Sequence, residues 1–98
     1  MIAKITKHDI EMGDKQKGRS CPIARALHRE MEEYCYVGST YIYCNLAPAV
    51  QFDCDEKLNK WILDFDEGNE VDEFQVCLDQ NEKKAFYMEV GDEAIGES

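Results

Sequence analysis

Long apolar runs are absent from this sequence. No stretch of its 98 residues approaches the roughly 18 apolar residues that a membrane span needs, so the sequence argues against an integral membrane protein. The first residues, MIAKITKHDIEMG, also lack the apolar centre of a secretion signal. We therefore expect a chain that works in the cytoplasm and has no membrane partner.

Residues that bind metals are few and poorly spaced. The sequence has two histidines, His8 and His28, and its cysteines form no C-x-x-C pair of the kind that holds zinc. The cysteines are five in number: Cys21, Cys35, Cys44, Cys54 and Cys77. An odd count without a secretion signal predicts free thiols, and apolar neighbours predict that most of them pack as small buried hydrophobes. We assign no metal, no cofactor and no catalytic residue.

Glycine and proline are also scarce, with six and two residues, and no linker, repeat or low-complexity segment divides the chain. A content of 44% hydrophobic and 33% charged residues is typical of a globular chain rather than a disordered one. The sequence therefore predicts a single domain over 1–98, with a frayed tail at 91–98.

Helical periodicity occurs in two segments. Over 21–33, apolar residues recur at helical spacing, and Ser20 is the expected N-cap. Over 55–66, an apolar stripe at i, i+3, i+4 and i+7 is formed by Leu58, Trp61, Ile62 and Phe65. These segments are the two main helices of the predicted fold.

Alternating, β-branched and aromatic residues fill most of the other segments. Strands are expected at 2–6, 34–45, 49–53 and 73–90. The last is expected to be a hairpin, and 34–45 either a hairpin or a single strand with a turn. The resulting prediction is an α+β fold, in which a short, mostly antiparallel sheet packs against the two main helices.

Acidic residues outnumber basic ones and are unevenly placed. Residues 1–30 contain seven Lys or Arg and four Asp or Glu, whereas residues 31–98 contain four Lys and seventeen Asp or Glu. A net charge of −10 repels phosphate, so we expect no direct nucleic-acid binding. A candidate partner-binding surface, the acidic face, comprises Asp64, Asp66, Glu67, Glu70, Asp72 and Glu73. Such carboxylates either imitate the phosphates of nucleic acid or serve solubility alone.

A polar loop over 13–19 precedes the first main helix. It approaches the phosphate-binding pattern G-x-x-x-x-G-K-[ST], but an arginine replaces the lysine of that motif, and no apolar strand ending in aspartate offers a magnesium ligand. A weaker prediction survives, in which the loop binds an anion or an acidic partner through Lys15, Lys17 and Arg19.

Cys21 keeps a catalytic alternative open. In this alternative the dipole of the helix that follows would lower the pKa of the thiol, and His8 or His28 would be the available base. The alternative is a small enzyme or nucleotide binder built on 13–21. Against it stands the packing role that cysteine commonly has in a core.

Two motifs occur in order along the chain. The first is I-T-x-x-D-I-x-x-G at 5–13, followed by S-C-P-I-A-x-A-L at 20–27, and the second is W-I-x-D-F-D-x-G-x-x-V-x-E-F at 61–74. Together they resemble small uncharacterised proteins encoded by bacteriophages and some bacteria. The resemblance implies a phage or phage-like genome, and hence a host protein as partner and the host cytoplasm as location. It implies no activity.

The leading interpretation is a phage-type accessory protein without catalysis. It would be a binding module that modulates a host macromolecule, such as a nucleic-acid enzyme, through the acidic face. One alternative is the small enzyme or ligand binder at 13–21. The other is a structural protein that pairs into a homodimer through a free edge of the hairpin at 73–90.

Overall fold

The computed structural model describes residues 1–89, and the expected tail at 91–98 lies outside them. Within these residues six strands form one sheet: β1 (Ile2–Ile5), β2 (Cys35–Val37), β3 (Tyr41–Cys44), β4 (Val50–Cys54), β5 (Phe74–Asp79) and β6 (Lys84–Met88). The strand order is β1-β5-β6-β4-β3-β2, and neighbours are antiparallel except β4 and β6, which run parallel. The described helices are α1 (Lys7–Met12), α2 (Pro22–Met31) and α3 (Glu56–Asp66).

The core lies on one face of this sheet. Cross-strand partners Ile5 and Phe74 are both fully buried there, as are Ile42 and Phe52 on the other half of the sheet. The apolar sides of α2 and α3 belong to the same buried cluster. The predicted α+β fold is therefore confirmed, with the two main helices packed on a mostly antiparallel sheet.

Helix α3 forms where the sequence pattern places it. Its N-cap, Asp55, accepts a hydrogen bond at 2.8 Å from the backbone N–H of Leu58, which satisfies a donor that the helix itself leaves unpaired. The predicted stripe is buried in full: Leu58, Trp61, Ile62 and Phe65. Because both the cap and the stripe are local features, the 55–66 segment was predictable from the sequence alone.

Helix α2 is shorter than predicted and has a different cap. The N-cap is Cys21 rather than Ser20, and its Sγ accepts a hydrogen bond from the N–H of Ala24 at 3.5 Å. Ser20 belongs to the preceding turn, where its N–H donates to the carbonyl of Lys17 at 3.1 Å. The helix stops at Met31 because Glu32 adopts a left-handed conformation with φ of 56°.

The hairpin formed by β5 and β6 lies in the interior of the sheet. Strand β5 pairs with β1 on one side, and β6 pairs with β4 on the other, through Asp53 with Lys84 and Cys54 with Ala85. The hypothesis that the hairpin at 73–90 has a free edge strand is therefore wrong, because both of its strands have neighbours on either side. In the described sheet the two edge strands are β1 and β2. Helix α3 connects β4 to β5 along the chain.

A buried carboxylate joins α1 to α2. Asp9 is fully buried, and it completes a capping box with Thr6, the N-cap of α1. Both its oxygens accept hydrogen bonds from the guanidinium of Arg29 at 2.9 Å, and Nε of Arg25 lies 3.5 Å from Oδ1. Paired in this way, the charge is tolerated in the interior and fixes the orientation of the two helices.

Candidate functional site

Part of the acidic face is used by the protein itself. The Asp66 carboxylate accepts a hydrogen bond from the N–H of Gln16 at 2.8 Å, and the Gln16 side-chain amide donates to the Asp66 carbonyl at 3.3 Å. The backbone N–H of Gln16 in the 13–19 loop therefore donates to a carboxylate of the same chain. This contact docks the loop against the end of α3.

Two further acidic side chains also have partners within the chain. Asp64 lies 3.3 Å from Nζ of Lys60, one helical turn earlier, and 3.4 Å from the side-chain amide of Asn69. Glu73 accepts a hydrogen bond at 2.7 Å from the N–H of Lys7, at the start of α1. These carboxylates therefore support local structure.

The other three members of the acidic face point to solvent. Glu67, Glu70 and Asp72 are exposed, and within residues 1–89 their carboxylates make no ion pair and no hydrogen bond. The backbone of Asp72 is fixed nonetheless, because its carbonyl accepts a hydrogen bond at 2.9 Å from Nε1 of the buried Trp61. Asp72 is thus a free charge on an anchored backbone.

A groove of about 650 Å³ runs between α1, the end of α3 and the segment that leads to β5. We call it the acidic groove. It combines the apolar side chains Ile10, Phe65 and Val71 with charged ones, namely Lys7, Glu11, Lys15, Glu70, Asp72 and Glu73. Carboxylates outnumber ammonium groups in this lining. The groove therefore offers a cationic, amphipathic group both apolar surface and counter-charge.

One wall of the acidic groove was not foreseen from the sequence. Lys7, Ile10 and Glu11 come from α1, more than fifty positions before the acidic face, and Glu73 joins the two parts through its bond to Lys7. Neither periodicity nor a motif signals this contact. Only the pairing of β1 with β5, which brings the starts of α1 and β5 together, creates it.

The cations of the 13–19 loop do not converge on one point. A second cavity, of about 440 Å³, lies between this loop, the β2–β3 turn and α3, and Lys17 lines it. Lys15 lines the acidic groove instead, while Arg19 lines neither cavity. The second cavity, called the loop cavity, also contains the carboxylate-bearing residues Asp66 and Glu67.

Cys21 lies in the wall of the loop cavity but is not an activated nucleophile. Its side chain is buried with 7% exposure, and burial raises the pKa of the thiol to about 11 against the opposing hydrogen bond from the Ala24 N–H. The lowered pKa that the catalytic alternative requires is not found, because loss of hydration outweighs the effect of the helix terminus. At neutral pH the group is a thiol.

The two histidines lie elsewhere. His8 is exposed on α1, and His28 stacks on Tyr34 with ring centroids 4.7 Å apart. The Nδ1 of His28 also lies 3.2 Å from the carbonyl of Glu33. His28 thus has its partners at the C-terminal end of α2, whereas Cys21 caps the N-terminal end of the same helix.

Aromatic residues form a separate patch on the outer face of the sheet. Tyr36 and Tyr43 are cross-strand partners and are each 43% exposed, and Tyr36 stacks on Tyr41 with centroids 6.1 Å apart. Tyr34 leaves this face to stack on His28. The patch is therefore formed by Tyr36, Tyr41 and Tyr43, without Tyr34.

The described part of the chain has no group of three or more histidine, cysteine or acidic side chains arranged to hold a metal ion. None of the helices in residues 1–89 has the length and apolar character to cross a membrane. Comparison with protein-family models, with curated proteins and with solved structures found no match.

Proposed function

We propose that this protein is a non-catalytic binding module that takes a basic segment of a partner protein into the acidic groove. The observation that carries the proposal is the pair Glu70 and Asp72, two exposed carboxylates without ionic partners in residues 1–89, beside the apolar side chains of the groove. A lysine or arginine side chain suits this lining, because its methylene stem packs on apolar surface while its charged end meets a carboxylate.

Electrostatics beyond the groove support the same partner class. The net charge of −10 attracts cationic proteins over distance and repels nucleic acid. In the setting that the sequence resemblance implies, the partner is a host protein. A nucleic-acid enzyme is such a protein, since its binding groove is basic and accepts carboxylates in place of phosphates.

The test is a variant that removes two of the unpaired carboxylates of the groove, Glu70→Gln with Asp72→Asn. Its matched control, Glu30→Gln with Glu82→Gln, removes the same charge from exposed positions outside the groove. Proteins retained from a host lysate are quantified by mass spectrometry on wild-type and variant baits. Affinities of the retained protein, once purified, are then measured by calorimetry.

We expect the groove variant to weaken binding about tenfold or more and the control to weaken it less than threefold, with both melting temperatures nearly unchanged. Equal losses of affinity in the two variants would mean that net charge alone explains the effect, and would contradict binding in the acidic groove. A titration with an arginine-rich peptide adds a direct readout. The amide resonances expected to shift are those of Ile10, Val71 and Asp72.

The loop cavity favours a second function, a small-ligand site beside Cys21. Its support is the position of Lys17 and Cys21 in one cavity wall. Asp66 and Glu67 in the same lining oppose an anionic ligand. If this site binds phosphate or a nucleotide, the ligand slows alkylation of Cys21 in the folded protein. A thiol that is unreactive with and without ligand would exclude a role for Cys21.

A further inference from the structure

Two buried cysteines face each other across the β2–β3 pair. Cys35 and Cys44 are register partners, their exposures are 4% and 0%, and their Sγ atoms lie 2.8 Å apart. Packing as small hydrophobes accounts for their burial. It does not require that the two sulfur atoms meet, since either strand could present another small side chain at this position.

The backbone at this position suits a covalent bond. The N–H of Asn45 donates to the carbonyl of Tyr34 at 3.0 Å, and the N–H of Gly38 donates to the carbonyl of Tyr41 at 2.8 Å. In an antiparallel pair, hydrogen-bonded and non-hydrogen-bonded residue pairs alternate. Cys35 and Cys44 therefore occupy a non-hydrogen-bonded pair, where Cα atoms are about 4.5 Å apart. That separation falls within the span of roughly 4.4–6.8 Å that a disulfide bridges.

We propose that Cys35 and Cys44 form an oxidation site, at which a small-molecule disulfide converts the two thiols into a cross-strand disulfide bond. This inference is independent of the acidic groove. The other cysteines lack such a partner: Cys54 and Cys77 are half-buried on β4 and β5, and no thiol–thiol contact is formed by them within the described residues.

The reaction is two successive exchanges. The Cys35 thiolate attacks one sulfur of the small disulfide, forms a mixed disulfide and releases one small thiolate. The Cys44 thiol then loses its proton to solvent and attacks Sγ of Cys35, which forms the Cys35–Cys44 bond and releases the second small thiolate. Both released thiolates take up protons. The protein loses two electrons and two protons, and the small disulfide is reduced to two thiols.

The order of attack follows from the environment of each sulfur. The hydrogen bond with Cys44 lowers the pKa of Cys35 in spite of burial, whereas the same contact and burial raise the pKa of Cys44. Cys35 also belongs to β2, a three-residue strand at the edge of the sheet. Opening of this short strand exposes Cys35 with little loss of other structure.

The test uses the reduced, folded protein and oxidised glutathione. After exposure, free thiols are blocked with N-ethylmaleimide, and intact mass identifies a product lighter by two hydrogens with three blocked cysteines instead of five. Chymotrypsin cuts after Tyr36, Tyr41 and Tyr43, so the Cys35 and Cys44 fragments stay joined until they are reduced. We expect this linkage as the main product, and a rise in Tm on the order of 5–10 °C.

The controls separate this pair from the other thiols. Cys54→Ala and Cys77→Ala should still form the bond, whereas Cys35→Ala should lose both the linkage and the rise in Tm. Urea at concentrations below the unfolding transition favours opening of β2. The same oxidation repeated in such urea should therefore be faster. The proposal is overturned if the linkage joins other cysteines, if it joins two chains, or if it forms only after global unfolding.

Discussion

The carboxylate of Asp9 and the guanidinium of Arg29 form a two-pronged pair, with both hydrogen bonds at 2.9 Å. Arg29 donates in addition to the carbonyl of Lys4 at 2.9 Å, so one side chain of α2 reaches α1 and the end of β1. The wall of the acidic groove that α1 provides is therefore positioned by a contact outside the groove.

Replacing the buried carboxylate should be costly. We expect Asp9→Asn to lower the free energy of unfolding by about 2–4 kcal/mol, because the variant breaks a buried ion pair. The Arg29 side chain is 45% exposed and regains water, which keeps the cost below that of a fully enclosed pair. Urea denaturation followed by circular dichroism measures the change. Asp14→Asn, at an exposed position, is the control and should cost less than about 0.5 kcal/mol.

The same pair makes stability depend on acid. Burial pushes the pKa of Asp9 upward, but hydrogen bonds from Arg29 and Thr6 prevail and hold it below its ordinary value of 3.8. A folded-state pKa below the unfolded one means that the unfolded chain binds the proton more readily. The contribution of Asp9 is therefore complete above about pH 5 and declines as the pH falls through 3.8 and then through the folded-state pKa.

The measurement compares wild type with Asp9→Asn at several pH values. Their difference in unfolding free energy should be constant near neutrality and should shrink below about pH 4. Because the other carboxylates titrate in both proteins, their contribution cancels when the unfolding free energy of the variant is subtracted from that of the wild type. A difference that stays constant down to about pH 2 would contradict a lowered pKa of Asp9 in the folded protein.

The contact between Asp66 and Gln16 should control the 13–19 loop. Asp66→Ala removes the acceptor of the Gln16 N–H, so we expect a loss of about 0.5–1.5 kcal/mol and a roughly 3–10-fold faster amide exchange at Gln16. Hydrogen exchange followed by NMR gives both values. Glu67→Ala, which removes a carboxylate without a partner in the described residues, should leave the exchange of Gln16 unchanged.

The end of α2 offers a stabilising substitution. Glu32 has a φ of 56°, a conformation that is unfavourable for a residue with a Cβ atom and free for glycine. We expect Glu32→Gly to raise the free energy of unfolding by about 1 kcal/mol, seen as a higher urea midpoint. Glu30→Gly, inside the same helix, should act in the opposite sense and cost about 1 kcal/mol.

Elements built from neighbouring residues were predictable, and those built from distant ones were not. The cap and stripe of α3 are encoded within eleven residues, so its position followed from the pattern. The ends of α2 were missed by one or two residues, because a thiol took the capping role expected of a hydroxyl and Glu32 ends the helix in a left-handed conformation. The parallel pairing of β4 with β6 has no local signal, and with it the interior position of the hairpin was missed.

The candidate site divides in the same way. Its carboxylates stand close together in the sequence and were found from composition. Which of them remain free was not predictable, because Glu73 and Asp66 find partners 66 and 50 positions away. The catalytic alternative required a lowered pKa of Cys21, but burial, which depends on the packing of α2, raises it.

The place of β1 in the sheet also sets a condition on synthesis. The amino group of Met1 bonds to the carbonyl of Leu78, 77 positions later, so the first strand leaves the ribosome long before its neighbour exists. At typical elongation rates the wait is roughly 4–15 s. During that time the apolar residues of β1 lack the neighbouring strand with which they pair. Chains that stall before β5 is complete therefore remain open and are expected to be substrates for chaperones and proteases.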